Sequence, residues 1–90
     1  MPRVQFTKHL FRYFPRLADG EFAGETVAQV VASLERAHPG LASYLTDDQG
    51  ALRPHVNVFL GDDLIRDRER LGDRVPPNRT VFFFQALSGG

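Results

Sequence analysis

These 90 residues, 42% hydrophobic and 24% charged, have the make-up of one ordinary globular domain and leave no room for a second. Lys+Arg and Asp+Glu are equal at 11 each, so no net field recruits nucleic acid or an anionic membrane. There is no cysteine, which excludes disulfides, thiolate catalysis and Cys-based zinc sites.

The first residues lead directly into an alternating segment, without the apolar stretch of a signal peptide, and no run approaches membrane-span length. A cytoplasmic protein is expected. Val4 and Phe6 alternate with Gln5 and Thr7, the period of a half-buried strand. The aromatic-rich stretch 9–15 reads as its continuation. Pro15, Asp19 and Gly20 mark a turn, and residues 21–23 a short return strand. Thr26 is an N-cap, and Gln29 completes a capping box. Val27, Val30, Val31 and Leu34 then form the apolar stripe of a helix that ends at Pro39-Gly40.

Residues 41–44 predict one short turn, with Leu41 and Leu45 closing over the core, and 46–50 a polar loop. Residues 56–60 predict a strand by β-branched content. Gly61-Asp62-Asp63 turns it towards a short hairpin partner at Leu64-Ile65. A charged connection follows, anchored by Leu71, and then the stiff Pro76-Pro77-Asn78. The nearly continuous apolar run 80–85 predicts a central strand covered on both faces.

One helix cannot cover both faces of a sheet. The expected fold is therefore α+β, a mixed sheet of four to five strands packed on one main helix. The first and last strands are expected to pair in parallel at its centre, which is the ubiquitin-like β-grasp plan. The domain is expected to occupy residues 1–85, with 86–90 as a flexible tail.

That tail closes with Gly89-Gly90. Glycine is favoured where flexibility or close approach matters. A tail without side chains can thread a narrow channel, and residues 86–90 reach about 17 Å at roughly 3.4 Å per residue. The plainer alternative is a frayed terminus.

At this point the chain resembles a known family, that of the molybdopterin-synthase small subunits and thiamine sulfur carriers. Residues 26–35 resemble the family's single helix and its cap. Residues 52–65, with Asn57-Val58-Phe59-Leu60-Gly61-Asp62-Asp63 at their centre, resemble its strand and hairpin. The chain then stops at Gly89-Gly90 just after a strand, as family members do. The turn at Pro76-Pro77-Asn78-Arg79 departs from the acidic, Gly-containing turn common in the family, and the last strand is richer in Phe.

The resemblance implies a carrier rather than an enzyme, with no bound cofactor. An E1-like adenylating and sulfurtransferase enzyme would use ATP to activate the carboxylate of Gly90 and convert it to a thiocarboxylate. A sulfur-accepting biosynthetic enzyme would then take the sulfur into molybdopterin, cysteine, thiamine thiazole or another thiolated metabolite. Gly89 and Ser88 would thread the active site. Phe59, Phe83 and Leu87 are the candidate docking residues, with burial in the core the competing expectation for both Phe. A ubiquitin-like modifier or interaction module is the alternative.

Other signals point to structure. His9, His38 and His55 lack the spacing of metal ligands. Asp47-Asp48 and Asp62-Asp63 are adjacent carboxylates beside glycine, suited to turns. Arg66-Asp67-Arg68-Glu69-Arg70 alternates in sign as a solvated face does, and Gly20 and Gly24 do not make a phosphate loop.

Overall fold

A computed structural model describes residues 1–85. The elements run β1 (Arg3–Phe6), α1 (Lys8–Tyr13), β2 (Gly20–Glu21), α2 (Val27–Ala37), α3 (Leu41–Leu45), β3 (Val56–Leu60), β4 (Asp63–Leu64) and β5 (Thr80–Gln85). The five strands form one sheet in the order β2-β1-β5-β3-β4. β1 and β5 pair in parallel at its centre, from Arg3 opposite Thr80 to Phe6 opposite Phe83. The other pairs are antiparallel. This is the expected α+β mixed sheet on one main helix, the β-grasp plan.

The core follows from strand parity. Val4 and Phe6, Val56 and Val58, and Val81 and Phe83 all point to one face. Against them pack Val27, Val30, Val31 and Leu34 of α2, Leu41 and Leu45 of α3, and Leu10 of α1. Leu17, Leu52, Ile65, Leu71 and Val75 close the margins from the connections.

The start of α2 is satisfied almost completely. Thr26 Oγ1 accepts from Gln29 N at 3.2 Å, as the capping box predicts. Gln29 Oε1 reaches one residue further back than expected and accepts from Glu25 N. The next amides, Val27 N and Ala28 N, donate to the carbonyls of Asp73 and Leu71. The charged connection thus docks on the helix N-terminus, where free N–H groups need acceptors. Asp67 and Asp73 hold its shape: Asp67 accepts from the amides of Glu69, Arg70 and Gly72, and Asp73 from those of Arg66 and Asp67. Glu35 performs the same service at α3, accepting from Gly40 N and Ala42 N.

Two expectations are corrected. Residues 8–13 form α1 rather than an extension of β1. Leu10 is buried, and Phe11 and Phe14 pack partly against the core, a helical spacing that outweighs aromatic β-propensity. β5 is central but not covered on both faces: Val81 and Phe83 are buried, while Phe84 on the opposite face is 38% exposed. Among the described residues, no helix is long and apolar enough to cross a membrane.

Gly24 carries a local constraint. Its φ is +156°, and an added Cβ would stand 2.6 Å from Val30 N and 2.7 Å from Val30 Cγ2 of α2. Gly24→Ala is expected to lower unfolding free energy by about 1–3 kcal/mol in urea titration, the usual cost of forced overpacking. The backbone hydrogen bonds also lower the pKa of Glu35, through Gly40 and Ala42, and of Asp67, through Arg70 and Gly72. Carboxylates with a depressed folded-state pKa stabilise above their unfolded-state pKa and lose that contribution as pH falls through the folded one. Stability measured against pH should therefore be level near neutrality and fall with acid below the ordinary carboxylate range. The E35Q/D67N variant should show a shallower fall.

Candidate functional site

β5 ends at Gln85, so the last described rung of the sheet is also the root of the tail. The predicted site residues Leu87, Ser88, Gly89 and Gly90 lie outside the described residues. What can be built is the root and the surfaces around it.

The outer face of the sheet carries an apolar patch. Register places Leu64 opposite Phe59, and Phe59 opposite Phe82. The Phe59 and Phe82 rings lie 6.4 Å apart, and those of Phe82 and Phe84 6.1 Å apart. Leu64 is 55% exposed and Phe84 38%. Phe59 and Phe82 are half-buried. Asn57, opposite Phe84, bounds the patch. Its Oδ1 accepts from Arg68 Nη1 at 2.8 Å, while Arg68 Nη2 donates to the carbonyls of Arg53 and Val56. Three contiguous aromatics and a leucine on an open sheet face are the kind of surface that marks a protein contact.

Of the two predicted docking aromatics, Phe59 lies on this face. Phe83 does not: it is fully buried and stacks on Phe6 with ring centroids 5.9 Å apart. Parity along β5 gives Phe83 to the core and Phe82 and Phe84 to the outside. Sequence could not fix that phase. Residues 80, 82 and 84 are Thr, Phe, Phe and residues 81, 83 and 85 are Val, Phe, Gln, so each set has two apolar members and one polar.

On the inner side, Gln85 is tied down. Its N–H donates to Thr7 Oγ1 at 3.2 Å, and its Nε2 to the Tyr44 hydroxyl at 2.9 Å. Thr7 N donates to Phe83 O at 3.2 Å. The Tyr44 ring packs against Tyr13 at 5.3 Å and edge-on against Phe14 at 5.9 Å. Sequence reading passed over Thr7, Tyr44 and Gln85, because only the tertiary fold brings positions 7, 44 and 85 together.

Among the described residues no group of three His, Cys, Asp or Glu side chains could hold a metal ion. The site offers a surface and a chain end.

Comparison with known proteins decides the family. A model described as the ThiS family matches residues 11–90, from α1 through the glycine pair. The chain belongs to the ThiS family. ThiS-family proteins are carriers rather than catalysts. The fold is similar to that of several solved structures. A chain of the Amycolatopsis orientalis BexX/CysO complex matches with a TM-score of 0.85 at 23% identity, covering 100% of both chains. Mycobacterium tuberculosis CysO matches at 0.82 and 21% identity, covering 97% of this chain and 100% of that one. Haloferax volcanii SAMP1 matches at 0.75 and 26% identity, covering 98% and 97%. No curated protein sequence gave a significant match.

The two faces of β5 in this ThiS-family chain should answer differently to truncation. Phe83→Ala is expected to cost about 3–5 kcal/mol of unfolding free energy, as for other buried Phe. Phe84→Ala should cost less than about 1 kcal/mol, in keeping with an exposed position. Urea unfolding of both variants measures the contrast.

Proposed function

We propose that this chain is a sulfur carrier whose working group is the C-terminal carboxylate of Gly90. The carboxylate attacks the α-phosphorus of ATP on an adenylating enzyme, and pyrophosphate leaves. Hydrosulfide delivered on that enzyme then displaces AMP from the acyl carbon, leaving a thiocarboxylate. An acceptor enzyme takes the sulfur into its product. The observation that carries this reading is the ThiS-family match across residues 11–90.

The chain's own chemistry agrees. With no cysteine, it has no side chain on which to carry sulfide, so acyl sulfur belongs on a carboxylate. The terminal one has the reach: about 17 Å from the root for residues 86–90. Gly89 and Ser88 are the slim approach to it, preceded in the chain by Leu87. Docking falls to Leu64, Phe59, Phe82 and Phe84, because a partner that covers them gains the burial they lack in the free protein. That one structural neighbour was solved in the BexX/CysO complex supports a protein partner for a chain of this fold.

A second reading, a ubiquitin-like modifier, is favoured by the likeness to Haloferax volcanii small archaeal modifier protein 1. It shares the adenylation step and differs in the product: an amide with an amine in place of a thiocarboxylate.

ATP–pyrophosphate exchange with the adenylating enzyme from the same source tests the shared step. The full chain should support exchange, and the chain lacking Gly90 should fall to background. Equal exchange by the two would overturn the assignment of Gly90. In the same assay Phe82→Ala combined with Phe84→Ala should raise KM about tenfold or more, the equivalent of at least one large apolar contact. kcat should stay within about twofold, as expected for lost uniform binding.

A further inference from the structure

Gln85 is the last described rung of the sheet, and both its backbone and its side chain are claimed by other elements. Its N–H is bound by Thr7 Oγ1 and its side-chain amide by the Tyr44 hydroxyl. Exchanging the amide's oxygen and nitrogen would preserve the second bond, since a phenol both donates and accepts.

Thr7 is the N-cap residue of α1, a position where threonine normally bonds the first turn of its own helix. Here it makes no side-chain cap bond, and its hydroxyl serves Gln85 instead. Tyr44 is equally constrained. Its ring is wedged by Tyr13 and Phe14 of the α1 segment, and α3, which carries it, is fixed to α2 through Glu35. Three helices therefore converge on the orientation of one residue, the one from which the tail departs.

We propose that Thr7, Tyr44 and Gln85 form a latch that sets the direction in which the chain leaves the sheet, with Tyr44 and Gln85 as positioning residues for activation of Gly90. The inference rests on the carrier reading. A carrier docked through its outer face must at the same time deliver its last carboxylate to a nucleotide. Fixing the position and heading of the root removes part of the conformational freedom that a tail of about 17 Å reach must otherwise lose on entering the site. Misplacement of about 1 Å can already lower a rate by about a hundredfold. A fixed root narrows the directions from which the tail approaches, while the docking patch sets how tightly the body is held.

This division gives the latch its own kinetic signature. The carrier is the substrate of the adenylating enzyme. Partial unfolding of a variant would lower its effective concentration, raising apparent KM and leaving kcat unchanged. Loss of positioning in the bound complex lowers kcat.

The test is steady-state adenylation of the full-length chain by the enzyme from the same source, comparing wild type with Tyr44→Phe, Gln85→Met and the double variant. Tyr44→Phe keeps the ring packing and removes only the hydroxyl. Each single variant should lower kcat about fivefold, the factor equivalent to one neutral hydrogen bond. KM should stay within about twofold, and the melting midpoint should fall by no more than about 4–8 °C, the equivalent of one such bond in a domain of this size, which leaves the variants folded at the assay temperature. The double variant should be no worse than the poorer single, since both remove the same bond. Wild-type turnover with an unchanged kcat for Tyr44→Phe would overturn the latch and leave the carrier reading standing. So would a rise in KM alone, or full additivity in the double variant. Failure of the wild-type chain to be adenylated by an enzyme proven active would overturn the carrier reading and the latch with it.

Discussion

The parallel pairing of β1 with β5 is the contact on which the rest of the molecule depends. It joins the two ends of the domain, Arg3 to Thr80 and Phe6 to Phe83, across nearly the whole sequence. Parallel neighbours cannot be joined by a hairpin, so the chain between them must include a crossover over a face of the sheet. α2 and α3 lie in that crossover and supply the apolar side that the sheet needs. With β1 on one flank and β3 on the other, β5 becomes the central strand. Its C-terminal end then emerges beside Thr7, where α1 begins. The place from which the tail departs is thus a consequence of topology, and so is the cluster that holds it.

β5 in turn divides the labour of the molecule between its two faces. Val81 and Phe83 face the helices and contribute to stability. Phe82 and Phe84 face outward beside Phe59 and Leu64, where they leave apolar surface in water. A domain of this size has a small core, and leaving large side chains outside it forgoes burial. That arrangement makes sense if another protein completes it. The root and two of the four patch residues, Phe82 and Phe84, therefore lie on one strand, and a partner that covers the patch is already close to the start of the tail.

Much of this was legible in the sequence. The capping box at Thr26 and Gln29 and the stripe Val27, Val30, Val31, Leu34 located α2, because local spacing and local hydrogen bonds determine a helix start. The β-grasp order followed from having several strands and one long helix. Strand phase was not legible in β5, where the two parities have the same balance of apolar and polar residues. A short helix at 8–13 was hidden because its aromatic residues have β-propensity, and only Leu10 is fully buried. The contacts among Thr7, Tyr44 and Gln85 depend on the packing of three helices and left no pattern in the chain. The proposed sulfur chemistry came from the resemblance to the family, and the glycine pair and the absence of cysteine agree with it.

The central claim is that sulfur rides on the carboxyl group of Gly90. Its most direct test is the intact mass of the protein after incubation with the adenylating enzyme from the same source, ATP and a sulfide donor, followed by alkylation and mapping of the C-terminal peptide. The account predicts exchange of one oxygen for sulfur, with the alkyl group on the same terminal residue. An unchanged mass with an enzyme proven active, or an amide linkage in place of the thiocarboxylate, would contradict it.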